Sequence, residues 1–229
     1  MEILPAILPK DFAEIEEKIE LVRGLSKRVQ VDVCDGKFVP SSTWPYKKHD
    51  ENFEAILHEE KGMPSWEVID YEFDLMIHEP TEDDARKWLS AGATRIVLHI
   101  ESSKNLHPAL DVLSGLVDIG LALNISTPLE SIAEYKDKIS YVQLMGIDKV
   151  GFQGQRFNPS VVDRVKKVKE MYPDLLVQID GGVSLENASL LKHAGVDRLV
   201  VGSGLFGTHA EFEDAAGDVV DTYAQFKAI

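Results

Sequence analysis

The chain has a single cysteine, Cys34, among 229 residues. An intrachain disulfide is therefore impossible, and a reducing, cytoplasmic setting is expected. Positive charge is scarce as well: 24 Lys and Arg stand against 39 Asp and Glu, for a formal net charge of −15. A field of that sign repels polyanions, so neither nucleic acid nor a membrane surface is expected as a partner. No apolar run is long enough to cross a bilayer, and Met1–Pro5 lacks the basic and apolar regions of a signal peptide. Glycine punctuation is missing where a dinucleotide site needs it, since no G-x-G-x-x-G follows the first apolar run. No low-complexity linker interrupts the chain either, and residues 1–229 read as one domain.

What is present is a regular alternation of short apolar runs and amphipathic stretches. Strands are expected at Ile3–Leu8, Val29–Val33, Tyr71–Ile77, Arg95–Ile100, Gly120–Ile125, Tyr141–Met145, Leu175–Asp180 and Arg198–Gly202. Helical spacing and start signals place helices at Asp11–Val22, Thr81–Leu89, Pro159–Met171, Ser184–His193 and Ala210–Phe226. The repeated strand–helix alternation predicts one parallel α/β domain, read as a single (β/α)8 TIM barrel with an open doubly wound sheet as the alternative. Ala91-Gly92-Ala93-Thr94-Arg95-Ile96-Val97 is echoed by Ala194-Gly195-Val196-Asp197-Arg198-Leu199-Val200. The echo fits a duplicated half-barrel, and it equally fits convergence of short helix-to-strand loops.

The chemistry-bearing residues sit where strands end. Asp180-Gly181-Gly182-Val183 closes one apolar run, and Gly202-Ser203-Gly204 closes the next. Two neighbouring strand ends with glycine turns form a cradle of backbone N–H groups that suits phosphate, so a small phosphorylated metabolite is expected. On the second strand, alternation puts Gln30, Asp32 and Cys34 on one face. An ionised Asp32 inside an apolar run is costly unless it is paired, metal-bound or functional, and Asp74 on the third strand faces the same difficulty. Three carboxylates that converge demand a cation, a shared proton or a basic neighbour. A turn or a lysine pair would account for any one aspartate alone; Asp32 and Asp180 together point to function.

These residues carry a family resemblance. Asp32-Val33-Cys34-Asp35-Gly36-Lys37-Phe38-Val39-Pro40 resembles the D-V-M-D-G-H-F-V-P signature of the ribulose-phosphate 3-epimerase family. Ile7-Leu8 with Asp11-Phe12-Ala13, Leu75-Met76-Ile77 with Glu79-Pro80, and Ala122-Leu123-Asn124 with Thr127-Pro128 resemble further segments of it in order. Gly151-Phe152-Gln153-Gly154-Gln155-Arg156-Phe157 resembles its G-F-G-G-Q-x-F lid. The resemblance implies a barrel that epimerises a pentulose 5-phosphate, with Asp32 and Asp180 exchanging a proton from opposite sides of the sugar. Met145 and the lid residues Gly151, Gly154 and Gln155 would cover the substrate. Backbone groups of Gly154, Gly181, Gly182, Gly202 and Ser203 would hold its phosphate, a divalent metal would stabilise the enediolate, and a homo-oligomer is compatible with the family.

The departures are specific. Both histidines of the family's metal site are replaced, by Gln30 and Asp74, and Lys37 stands where the signature has histidine. Gly146–Val150 is one residue longer than the family's stretch, and Gln153 replaces a glycine. Three accounts follow. Gln30, Asp32, Asp74 and Asp180 form an all-oxygen site for Mg2+ or Mn2+. Alternatively, Lys37 or Lys149 supplies the positive charge, as in a lysine-assisted aldolase-type barrel. In the third, the barrel binds a sugar phosphate without turnover, as a sensor or interaction protein. The Ser41–Tyr46 loop is expected at the rim or at an oligomer contact, and His99 reads as a hydrogen-bonded structural histidine.

Overall fold

The computed structural model describes residues 1–207 and 212–229, without the side chains of 212–216. The apolar runs become strands buried on both faces, as parallel strands between helices and a filled interior require. They are β1 (Glu2–Ile7), β2 (Arg28–Cys34), β3 (Asp70–Met76), β4 (Ala93–His99), β5 (Asp118–Leu123), β6 (Tyr141–Met145), β7 (Leu176–Asp180) and β8 (Arg198–Val201). Each pairs in parallel with its neighbour in sequence, and β1 pairs with β8, so the sheet closes as a barrel. The (β/α)8 expectation is met, with strand limits within two residues of those expected.

Outside the barrel lie α1 (Phe12–Val22), α2 (Glu51–Leu57), α3 (Glu82–Ser90), α4 (His107–Leu113), α5 (Val161–Met171), α6 (Leu185–Ala194), α7 (Ser203–Phe206) and α8 (Phe212–Ala228). Capping explains several starts: Asp11 accepts from the Glu14 backbone N–H, and Thr81 forms a reciprocal capping box with Asp84. α2 was not legible in the sequence because Ile56 is its one fully buried residue, too little for a periodic signal. Between β5 and β6 the helical layer is a 3-10 turn at Leu129–Glu134, begun after Pro128. The expected helix from Ala210 begins outside the described residues; its body runs from Phe212. Both echoed loops end a helix at a positive-φ glycine, Gly92 and Gly195, before β4 and β8.

Apolar packing fills the space between strands and helices. Trp44 lies buried within a ring cluster: its centroid is 5.6 Å from Phe12, 5.2 Å from Phe53 and 6.2 Å from Trp88. The Ser41–Tyr46 loop, expected at the rim, thus sends its tryptophan into the core, where truncation would cost about 3–5 kcal/mol. The barrel interior is different. Its buried residues include Gln30, Asp32, Glu72, Asp74, Gln143 and Gln178, so polar side chains occupy what is usually a branched apolar filling.

Candidate active site

Register stacks these polar residues in layers. Gln30 pairs with Glu72 and Asp32 with Asp74 across β2 and β3; Gln143 pairs with Gln178 and Met145 with Asp180 across β6 and β7. The two-residue period of a strand therefore sets amides and Glu72 in one layer and the aspartates in the layer above, at the C-terminal mouth. Asp32, Asp74 and Asp180 each bring a carboxylate oxygen within 4.8 Å of the others.

Amides and one histidine answer this negative charge. Gln30 Nε2 donates to Asp32 Oδ1 at 2.7 Å and to Asp180 Oδ2 at 3.0 Å. Gln143 Nε2 donates to Asp74 Oδ2 at 2.8 Å and reaches Asp180 Oδ2 at 3.4 Å. His99 Nε2 lies 3.1 Å from Asp74 Oδ1, and the Phe38 ring packs 5.3 Å from the imidazole. Gln30, expected as an oxygen ligand, turns its nitrogen to the carboxylates that accept from it, and its oxygen lies 3.3 Å from Gln178 Nε2.

The electrostatics follow from burial. Desolvation, then the charges of Asp180 and Asp74, hold the Asp32 carboxyl well above the usual carboxylate range, against the Gln30 hydrogen bond. Desolvation and the Asp74 charge push Asp180 up to about 7, with Gln30 and His99 opposing. Burial alone would lower His99, but the charge and hydrogen bond of Asp74 reverse this and raise it. Glu72 is raised by burial, against hydrogen bonds from Gln178 and Tyr141 and the charges of Arg95 and Arg198.

Above the acids is a cavity lined by Asp32, Met145, Gly151, Gly154, Gln155, Asp180, Gly181, Gly182, Gly202 and Ser203, the residues expected from sequence. Gln30 and Asp74 lie beneath it. Gly181 and Gly182 have φ of 101° and 67°, and they are glycine for a second reason. A Cβ on Gly181 would sit 2.7 Å from Ile147 Cγ1, and one on Gly182 2.7 Å from Phe157 Cα, so the base of the lid packs directly on this turn. Gln153 also lines the cavity, with its Nε2 where a Cβ on Gly202 would lie 2.9 Å away. Lys37 and Lys149 are both exposed and line none of it, which leaves lysine-assisted chemistry without support.

Sequence reasoning missed the role of His99, Gln143, Gln178 and Glu72. His99 is hydrogen-bonded as expected, but its partner is a site aspartate. The available signal was alternation: Gln143 lies two residues before Met145, and Gln178 two before Asp180, on strands otherwise apolar.

Convergent carboxylates beneath a glycine-lined cavity, at the C-terminal mouth of a closed barrel, define a (β/α)8-barrel enzyme equipped for acid–base chemistry. The sequence model of the ribulose-phosphate 3 epimerase family matches residues 2–206. Ribulose-phosphate 3-epimerase of Aquifex aeolicus is 34% identical over 211 residues, covering 90% of this chain and 89% of the relative. That of Bacillus subtilis is 34% identical over 216 residues, covering 90% and 93%. A crystal structure of 3-hexulose-6-phosphate synthase superposes with a TM-score of 0.68 at 15% identity, covering 97% of this chain and 99% of that one, a likeness of fold alone. The chain belongs to the ribulose-phosphate 3-epimerase family and is an epimerase, an enzyme of the isomerase class. Among the described residues no helix is long and apolar enough to cross a membrane.

Proposed function

We propose that this epimerase interconverts ribulose 5-phosphate and xylulose 5-phosphate by passing a proton at C3 between Asp32 and Asp180. The observation that carries the reading is the single Gln30 NH2 group bonded to both carboxylates, which holds the two acids together at the floor of the cavity. Epimerisation needs one acid and one base on opposite faces of the carbon. Two carboxyls raised by burial and by the charges of neighbouring carboxylates suit this exchange, because such groups hold and release a proton more readily than an ordinary ionised carboxylate. The ionised partner removes the C3 proton, leaving an enediolate; the protonated partner delivers its proton to the opposite face. Return of the pair to its first state follows by exchange with water.

The donor set fits a hard divalent cation, Mg2+ or Mn2+, since three carboxylate oxygens converge and among the described residues their charge is otherwise met by amides and His99. Asp32, Asp74 and Asp180 would hold it, and Gln30 would join as a fourth oxygen only with its amide turned end for end. Such a cation supplies charge stabilisation of the enediolate oxygens. Met145 and the lid residues Gly151, Gly154 and Gln155 exclude water over the sugar. Backbone N–H groups of Gly154, Gly181, Gly182, Gly202 and Ser203 receive the phosphate, which a chain of net charge −15 must attract locally.

The test is conversion of ribulose 5-phosphate by chelator-stripped protein titrated with Mg2+, Mn2+, Co2+ and Zn2+, beside Asp32→Asn and Asp180→Asn. Metal-dependent turnover lost in both variants is the expected result. Saturable binding of the sugar phosphate with no turnover under any metal would refute this substrate and mechanism.

A further inference from the structure

Below the aspartates the three glutamines form a directional chain. Gln178 Nε2 donates to Glu72 Oε1 at 2.6 Å and to Gln143 Oε1 at 2.8 Å, with Gln30 Oε1 more distant at 3.3 Å. Gln143 and Gln30 then donate upward from their nitrogens to the aspartates. All three amides and Glu72 are fully buried, so no solvent stands in for a mismatched partner.

An amide can be turned end for end with little change in shape, and its direction follows from its partners. Here both ends of the chain impose the same direction. At the bottom, Glu72 Oε1 accepts from Gln178 whether Glu72 is ionised or carries a proton on Oε2, where Tyr141 Oη lies 2.9 Å away. At the top, Asp74 Oδ2 accepts from Gln143, and Asp32 Oδ1 and Asp180 Oδ2 accept from Gln30. Turning Gln143 would put its oxygen against Asp74 and its nitrogen against Gln178 Nε2, two repulsive contacts replacing two hydrogen bonds. Gln30 is bound in the same sense, more weakly at its lower end because the two hydrogens of Gln178 Nε2 serve the two shorter bonds.

We propose that Glu72 and Gln178 are positioning residues that lock the amides of Gln143 and Gln30 with their donor ends toward the aspartates, and so weaken the grip of that site on a divalent cation. The inference rests on the metal reading given above and deepens it. N–H groups aimed at the carboxylates compete with a cation for their lone pairs and withhold two carbonyl oxygens that would otherwise join the ligand set. The lock keeps Asp32 and Asp180 in place without metal, at the expense of metal affinity.

The decisive variant exchanges the two polar groups at constant formal charge: Glu72→Gln together with Gln178→Glu. A carboxylate at position 178 only accepts, so Gln143 and Gln30 must donate downward and present their oxygens to the aspartates. Mn2+ binding to chelator-stripped protein is measured by calorimetry, and the side-chain NH2 resonances of Gln30 and Gln143 by NMR. The exchange is expected to lower the Mn2+ dissociation constant by about tenfold or more and to move both NH2 resonances. A folded exchange variant with unchanged affinity and unchanged resonances overturns the lock. If the exchange does not fold, Gln178→Met keeps the volume and removes the donor; it too must move both resonances, and their constancy overturns the proposal. Absence of Mn2+ binding in every protein would sink the metal reading and with it the affinity effect, while the resonances decide the amide direction separately.

Discussion

Replacing Asp180 by Asn should make the metal-free protein more stable at neutral pH while abolishing turnover. In the folded chain the Asp180 carboxyl is pushed from the ordinary 3.8 up to about 7, first by desolvation and then by Asp74. Between those two values the folded state binds a proton that the unfolded state has released, so stability falls as pH rises from about 4 through about 7. Every tenfold difference in proton affinity between the folded and unfolded states is worth about 1.4 kcal/mol. A gain of about 2–4 kcal/mol at pH 8 follows, allowing for repulsion that Asp32 and Asp74 share, and in a chain of this length it amounts to about 4–16 °C in Tm. Asparagine keeps an acceptor oxygen for Gln30 and Gln143, which isolates the charge from the hydrogen bonds. The assay is thermal or urea unfolding of both proteins in chelator, from pH 4 to pH 9. The difference between variant and parent should be small at pH 4 and grow to its full size by pH 8. A difference that stays constant across that range would refute the argument that burial and repulsion set the state of this carboxyl.

The remaining predictions concern the groups around the pair. His99→Gln removes the partner that Asp74 holds at 3.1 Å, and should cost about 1–3 kcal/mol. Because the His99 pKa is raised in the fold, that cost should be fully present below about 6.5 and shrink as pH rises through the folded value; a cost independent of pH would mean the imidazole is never charged. Gly182→Ala forces a residue with a side chain to a φ of 67° and a Cβ to 2.7 Å from Phe157 Cα, so a loss of about 1–3 kcal/mol and a raised KM for the sugar phosphate are expected. Gln153→Glu puts a carboxylate where an amide now hangs beside Gly202, and should raise KM about tenfold or more with a smaller effect on kcat. An unchanged KM would place that side chain outside reach of the phosphate.

The barrel and most of its mouth were legible in the order of residues alone. Eight apolar runs separated by amphipathic stretches leave little choice of architecture, and the glycine turns after β7 and β8, which line the cavity, stand out through local backbone requirements. Asp32 and Asp180 stood out for the same kind of reason, a charge placed at the end of an apolar run. What lies between them was decided only in three dimensions. Gln143 and Gln178 are 35 positions apart, and Gln30 and Asp180 are 150 apart, yet each pair is hydrogen-bonded. The direction of an amide depends on what faces both of its ends, and those partners come from β2, β3, β6 and β7 only once the sheet has closed. The same closure turns Gln30 from an expected oxygen ligand into a nitrogen donor and brings His99 from the end of β4 to Asp74. A one-dimensional pattern reports which face a residue occupies; the partner across the barrel, and hence the charge each group can hold, belongs to the closed fold.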